Sequence, residues 1–576
     1  MHVTILETLR EDPKLAASWN DLAMRMERPE VFYTYQWALA AAIAFADTLW
    51  PLVCLVYDSD QLCGVAALAT SHERRSDAFF LASSTADYCD FLSEPDRRKG
   101  VMQAIFAEIR KLGVQDIVFA SIPAESSTLR ELPGIAESYN FHLHERAASD
   151  CGVILFGSDQ ERHAILRSMK RKEKEGRALK KMAQVGSVHV THLMEPAQTD
   201  LTSIFSAQIS RFLATHRVSP LLRPERRSFL MELSRLLGHA GWLKISRLEI
   251  DGEPIAWNYG FLFCGSWFWY LPTFEIDRER LSPGSCLLRL LVEEGCADAS
   301  VDRLDLGLGD EPYKERYTNT VFPTRYVQLS SGIFRHQRVV GRHRLSEMVR
   351  RFPRLETKTR ALRDISRALQ RRIRTAGLLP TTAYAFGRLA KKVASEVEIL
   401  VFEAPQIETP SPLNAALIPL NWKELADAAM GNTEDVSTLR YLMRCAPRLK
   451  TWAGCGFVLR TQGGQAGHFL WIDRYDGFHL SEVDYKLESH DPGAAMIYDC
   501  WTPLSQRGNG YYAIAIRLAA ESLQQQRRRA WIFSAAKNVS SVRGIRKADF
   551  EYRFSLVRRS TLNRSSVTRA DSTGAL

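Results

Sequence analysis

Residues 281–317 read LSPGSCLLRLLVEEGCADASVDRLDLGLGDEPYKERY. A turn of Ser282, Pro283 and Gly284 opens a helix striped with Leu287, Leu288, Leu290, Leu291 and Val292. A short strand follows through Leu304, Asp305 and Leu306. The polar loop Gly307-Leu308-Gly309-Asp310-Glu311-Pro312 then ends in Tyr313-Lys314. A helix N-terminus carries unpaired N–H groups and the positive end of the helix dipole, so beside a strand end and a glycine loop it suits an anion. Ligands of open α/β sheets bind beyond the carboxyl ends of the strands. The stretch therefore predicts an α/β fold with a site in this loop.

Working outward, residues 241–251 alternate as a strand, Gly252-Glu253 is a hairpin turn, and residues 255–263 and 267–274 continue as strands. At this point the chain resembles the FemAB-like branch of the GNAT acyltransferase superfamily, in particular acetyltransferases encoded with cellulose and other polysaccharide synthesis genes. The residues that carry the resemblance are the hairpin LEIDGEPIAWNYGF, the SPG-x-x-LL helix start, the DLGLGDEPYK loop, the basic helix SMKRKEKEGRALKKM at 168–182 and Asp87-Tyr88-Cys89-Asp90-Phe91-Leu92. It spans roughly residues 1–330. It implies a pair of GNAT-like modules, 1–157 and 158–330, that move an acyl group from a thioester. Lys314, Asp87 and Asp310 are the expected catalytic residues.

Two readings stay open at several of these positions. Asp87 and Asp90 flank Tyr88 among small residues that favour turns, while the family implies the floor of an acceptor site. The basic helix is a solvated face or a ridge for phosphates. His216 stands near a helix end and is read as structural. The stretch 37–57 is long and apolar enough to raise a membrane span, but its alanines, Asp47 and Pro51 favour a helix followed by a strand.

The chain has 576 residues, too many for one core, and a net charge of +10 that favours anionic partners. Ten cysteines without a C-x-x-C pair argue against a zinc site or a disulfide framework, so no metal is expected and a cytoplasmic location is. Across residues 331–395 the composition turns basic. Positions 335–374 hold fourteen Arg or Lys against three acids on apolar-striped helices, a pattern open to peripheral contact with the inner membrane. No aromatic residues interleave for base stacking, so nucleic acid is not the expected partner.

Residues 396–560 read as a separate module. The apolar strand AAMIYDCW (494–501) leads into Thr502-Pro-Leu-Ser-Gln-Arg-Gly-Asn-Gly510, a helix and a strand, then Asn538 and Lys547-Ala-Asp-Phe550. Glycines let a backbone approach closely, and a helix start favours negative charge. The order is similar to the ordinary GNAT acetyltransferase core, in which such a loop grips the pyrophosphate of acetyl-CoA. Gln506, Arg507, Gly508, Asn509, Gly510 and Asn538 are thus implied to bind the co-substrate. Two departures matter. Ser505 replaces the usual Gln or Arg, and Ile545 stands where the family often has a tyrosine acid.

The expected protein is an α/β acyl-CoA N-acyltransferase (GNAT) fold, a FemAB-like pair followed by a basic linker, a third GNAT-like module and a disordered tail at 561–576. It is expected to acylate an amine or hydroxyl on a small-molecule or sugar-linked acceptor. An aminoacyl-tRNA-dependent peptidyl transferase and a non-catalytic scaffold of a polysaccharide synthase are the alternatives.

Overall fold

The computed structural model describes residues 1–309, 311–351, 394–406, 416–451, 454–561 and 564–571. Asp310 and most of the basic segment, 352–393, lie outside the described residues. The chain divides into two compact units, Met1–Arg211 with Ser219–Met348, and Phe212–Val218 with Val349–Leu576.

The first unit repeats one order of elements. The first half runs β1 (His2–Leu6), α1 (Pro13–Met24), α2 (Tyr35–Ala44), β2 (Leu49–Asp58), β3 (Gln61–Ser71), β4 (Arg74–Phe80), α3 (Arg98–Lys111), β5 (Asp116–Pro123), α4 (Ser127–Ser138) and β6 (His142–Leu155). After α5 (Asp159–Lys170) and α6 (Glu173–Val185), the second half runs β7 (Val188–Leu193), α7 (Gln198–Ala214), α8 (Pro224–His239), β8 (Ile245–Ile250), β9 (Glu253–Phe263), β10 (Ser266–Phe274), α9 (Pro283–Ala297), β11 (Arg303–Leu308), a turn at Lys314–Arg316 and β12 (Thr320–Ser330). Helix α10 (Ile333–Arg351) follows.

Local chemistry sets these boundaries. Asp12 accepts from the Lys14 and Leu15 N–H groups at 3.0 Å each and starts α1, with Pro13 at its first position. The apolar stretch at 37–57 is α2 followed by β2, as a helix and a strand, and among the described residues no helix is long and apolar enough to cross a membrane. Pro51 is tolerated because β1 pairs only with residues 53–57 of β2, so no neighbour on that side asks for its missing N–H.

All twelve strands form one sheet in the order β1-β2-β3-β4-β5-β12-β6-β11-β10-β9-β8-β7. The halves exchange their last strands. β12 of the second half lies between β5 and β6, and β6 of the first half lies between β12 and β11. Each half has one parallel pair, β4 with β5 and β10 with β11. Both pairs are short. Asp77–Phe79 pair with residues 116–118, and Ser266–Phe268 with residues 303–305, and beyond those points the strands part. The second half closes its core under α9 and α6, with Leu287, Leu288, Leu291, Met182 and Trp267 all buried.

The second unit runs β13 (Ala394–Glu403), β14 (Leu417–Pro419), α11 (Trp422–Gly431), α12 (Val436–Thr451), β15 (Gly456–Arg460), β16 (Ala466–Arg474), the small hairpin β17 (His479–Leu480) and β18 (Tyr485–Lys486), β19 (Ala494–Trp501), α13 (Tyr511–Gln525), β20 (Arg529–Ala535), α14 (Val539–Lys547), β21 (Glu551–Thr561) and β22 (Arg564–Asp571). From β14 onward this is the element order of the first half of the first unit, with one added hairpin and the closing strand β22. Its sheet order is β14-β15-β16-β19-β20-β13-β21-β22. The place that an exchanged strand fills in the first unit is taken here by β13, the strand that opens the unit. The parallel pair β19 and β20 joins Ala494–Ile497 to residues 529–532 and then opens. Residues 564–571, expected as disordered tail, form β22, because they pair with β21 over an eight-residue antiparallel register and Val567 packs against the core.

Candidate functional site

Where β11 leaves β10, the polar groups of Gly307 and Leu308 lose their strand partner and buried backbone groups must find others. Side chains supply them. Asp305 Oδ1 accepts from the Gly307 N–H at 2.8 Å. The Lys314 ammonium donates to the Gly307 carbonyl at 3.2 Å, to the Leu308 carbonyl at 2.6 Å and to Glu311 at 2.9 Å. Its three protons are thereby taken, and its side chain is buried. Asp87, from the first half, packs against the same dipeptide. A Cβ at position 307, where φ is +69°, would stand 2.5 Å from Asp87 Oδ2, so only glycine admits the carboxylate there.

Burial pushes the Asp87 carboxyl up to about 7, with the charge of Asp305 adding to the rise, while Lys314 and a hydrogen bond from the Leu308 backbone oppose it. The structure thus brings Lys314 and Asp87 together at the opening of β10 and β11. Asp310 is outside the described residues.

Behind this cluster lies a buried charge network that joins the halves. Tyr88 Oη donates to Asp305 Oδ2 at 2.9 Å. Arg28 reaches Glu30 at 2.5 Å and Asp305 at 3.5 Å, and Arg303 reaches Glu30 at 3.0 Å. The Arg28 guanidinium lies over the rings of Tyr88 and Phe322 at 4.2 and 3.9 Å. Glu30 is fully buried and burial pushes it up to about 7, with Arg28 and then Arg303 pulling it down. Sequence reasoning missed Arg28, Glu30 and Arg303. The available signal was Asp305 itself, a carboxylate inside the apolar run LDL, since a buried charge requires partners.

The matching opening of the first half is filled by its own loop. Leu92 bridges Val65, and the Cys89 N–H donates to the Ser121 carbonyl at 3.0 Å. Asp90 accepts from Ser126 at 2.5 Å and Thr128 at 2.6 Å and pairs with the buried Arg98 at 3.3 Å. Arg98 also donates to the Phe91 and Ser93 carbonyls at 2.6 and 2.9 Å. Asp90 is therefore part of the first half's packing, unlike Asp87.

Before α9, the cap residue Ser282 has φ of 51° and its side chain makes no cap bond to the first N–H groups of the helix, which begins at Pro283. The expected basic helix 168–182 is broken at residues 171–172 into the end of α5 and α6, which pack beside α9 through Met169 and through Ala178 and Met182, with Arg171, Lys174, Arg177, Lys180 and Lys181 exposed.

In the second unit the loop 502–510 joins β19 to α13. Gly510 precedes α13 with φ of 78°, and a Cβ at Gly508 would meet open space. Arg507 Nε donates to the Thr502 carbonyl at 3.2 Å, and its guanidinium lies over the Trp501 ring at 5.4 Å. Gln506 donates to Gln465 at 3.0 Å, and Asn509 is exposed. Lys547, part of the KADF motif but not among the residues expected to bind the co-substrate, ends 3.9 Å from where a Cβ of Gly510 would be. Asn538 is occupied as the cap of α14, accepting from the Ser541 N–H at 3.3 Å. Ile545 is fully buried in the core under α13. A phenol stands nearby instead: Tyr512 Oη is 3.0 Å from Ser541 Oγ and is raised by burial.

A repeated β-α-α-β-β-β-α-β unit that exchanges last strands and opens its sheet at the parallel pair is a tandem GNAT-like fold. Residues 169–315 match the family model described as acetyltransferase (GNAT) domain. Among solved structures, FemX is similar over 57% of this chain and 97% of its own at 9% identity, with a TM-score of 0.41. A protein from Bacteroides thetaiotaomicron is similar over 57% and 100% at 11% identity, TM-score 0.38. A tandem GNAT protein from the clavulanic acid biosynthesis pathway is similar over 57% and 99% at 10% identity, TM-score 0.33. No curated protein matches the chain.

Proposed function

We propose that the protein transfers an acyl group, acetyl in the simplest case, from acyl-CoA to an amine or hydroxyl of a sugar-linked acceptor in polysaccharide or cell-envelope biosynthesis, at the opening between β10 and β11. The observation that carries the reading is Asp87, a half-buried carboxylate raised to about 7 and laid against Gly307 at that opening. A base with this proton affinity is matched to taking a proton near neutral pH.

The acceptor's nitrogen or oxygen attacks the thioester carbonyl, and its proton passes to Asp87. Backbone N–H groups along the parted strands steady the oxyanion. The carbon–sulfur bond then breaks and CoA leaves as thiolate, which is protonated from solvent. The uncapped start of α9 and the exposed basic residues of 170–181 would take the phosphates of the donor. Lys314 serves this site by holding Gly307 and Leu308 in place and by moderating the charge of Asp87. The second unit would bind a donor at 506–510.

Ile333 and Phe334 are 45% and 84% exposed at the start of α10, next to Arg335 and Arg338. Apolar side chains beside cations support peripheral membrane contact.

The test is release of free CoA from acetyl-CoA across a panel of amines and sugars, with wild type and Asp87→Asn compared. Acceptor-dependent release that Asp87→Asn abolishes supports the reading. Equal release by both removes Asp87 from it, and no release with any acceptor removes acyl transfer from CoA.

A further inference from the structure

We propose that Asp435 is a positioning residue for the loop 502–510, holding it in the shape that takes the donor's phosphates; this rests on the donor reading of that loop. Asp435 caps α12 with one oxygen and reaches the loop with the other. Its Oδ1 accepts from the Ser437 and Thr438 N–H groups at 3.1 and 3.0 Å, which is all a helix cap requires. Its Oδ2 accepts from the Thr438 hydroxyl at 2.6 Å and from the Leu504 N–H at 3.0 Å, in the turn that leads into Gln506.

A second tie runs beside the first. Trp501 Nε1 donates to the Thr438 hydroxyl oxygen at 2.9 Å. The Trp501 ring stacks on Tyr441 of α12, with centroids 5.3 Å apart and planes 11° from parallel. Arg507 lies over the other part of this assembly, its guanidinium 5.4 Å from the Trp501 ring centroid. The first turns of α12 thus hold the loop at Trp501 and at Leu504, and Arg507 folds back on the residues so held. Gly508 and Gly510, at φ of 89° and 78°, have many alternative conformations. A loop that must order on binding loses affinity by the entropy of ordering, and one already held does not.

The experiment is hydrogen–deuterium exchange of the full chain, titrated with CoA and read on peptides covering 502–512 and 436–451. Asp435→Asn separates the two roles. Asparagine caps a helix as well as aspartate does, but it offers one oxygen, so the cap survives and the Leu504 tie is lost. The expected result is that CoA slows exchange over 502–512 in wild type. Half-saturation then rises about tenfold in Asp435→Asn, the scale of one lost hydrogen bond to a charged group. Exchange over 436–451 should stay unchanged in this variant. Trp501→Phe, which keeps the stack and loses the Nε1 donor, is expected to shift in the same direction. If Asp435→Asn and Trp501→Phe both titrate as wild type does, the proposal is overturned and Asp435 is a helix cap alone. If CoA leaves 502–512 unprotected in wild type, the donor reading of the loop falls, and the positioning role falls with it.

Discussion

The Tyr88 hydroxyl donates to Asp305 at 2.9 Å across the seam between the two halves of the first unit, and both side chains are buried. A hydrogen bond to a charged group contributes about 1.5–3 kcal/mol. Tyr88→Phe should lower the unfolding free energy by that amount in urea titrations. Because Asp305 also orients Gly307, acyl transfer should weaken in the same variant. Full activity with unchanged stability would show the bond to be idle.

Asp87 gives a pH dependence with a definite sign. Its folded pKa of about 7 lies above the ordinary 3.8. The folded state therefore holds a proton that the unfolded chain has released between these values, and this contribution to stability is present at low pH and lost as pH rises through 7. As a base, Asp87 acts only when ionised, so activity should rise over the same range. Asp87→Asn should remove both slopes and lower acyl transfer by about 100-fold or more. A rate limb near pH 7 that persists in Asp87→Asn would assign the base elsewhere.

Lys314→Met tests the strut. The carbonyls of Gly307 and Leu308 would lose their donor, at about 1–3 kcal/mol each for a buried group left unpaired. Thermal melts should shift down together with activity. A variant that keeps its melting temperature and loses activity would place the ammonium in the reaction itself.

His468 is buried in the second unit, with Nδ1 2.8 Å from the Thr502 hydroxyl, and burial lowers it from 6.5 to about 3. Here the folded pKa is depressed, so the contribution is present above 6.5 and lost as pH falls toward 3. The unit should lose roughly 1.4 kcal/mol per pH unit across that window from this group. His468→Gln should flatten the acid limb in pH-dependent unfolding. An unchanged limb would locate acid sensitivity in other residues.

Membrane contact is tested with anionic liposomes at moderate salt. Each basic residue near such a surface contributes about 1 kcal/mol. A variant with Phe334→Ser, Arg338→Gln and Arg342→Gln should co-sediment far less than wild type, and equal sedimentation would exclude α10 as a contact.

Much of the architecture was legible because it is written in short-range patterns. The hairpin around Gly252, the helix opened by Pro283 and the strand through Asp305 all follow from turn residues and periodicity. The strand exchange was not legible, because which strand fills a gap depends on pairings well over a hundred residues apart, such as Arg303 with Leu155 and Ser330 with His142, and β6 and β12 have the same local pattern as any edge strand. At the site, Lys314 and Asp87 were singled out through a resemblance, and their convergence on Gly307 required the fold. Arg28, Glu30 and Arg303 sit in unremarkable surroundings in the chain. Asn538 reads as a ligand in sequence and is taken up by a cap in space, since an asparagine before a helix serves either role.

The exchange of β6 and β12 also bears on how the protein is made. In the finished sheet β6 touches β11 and β12, and its own half offers it no neighbouring strand. During synthesis the N-terminal half therefore emerges with a fourteen-residue strand, His142–Leu155, that has no seat until residues 303–330 have left the ribosome. A gene cut near Gly157 should yield two fragments that are each insoluble alone and that recover when co-expressed, each supplying the strand the other lacks.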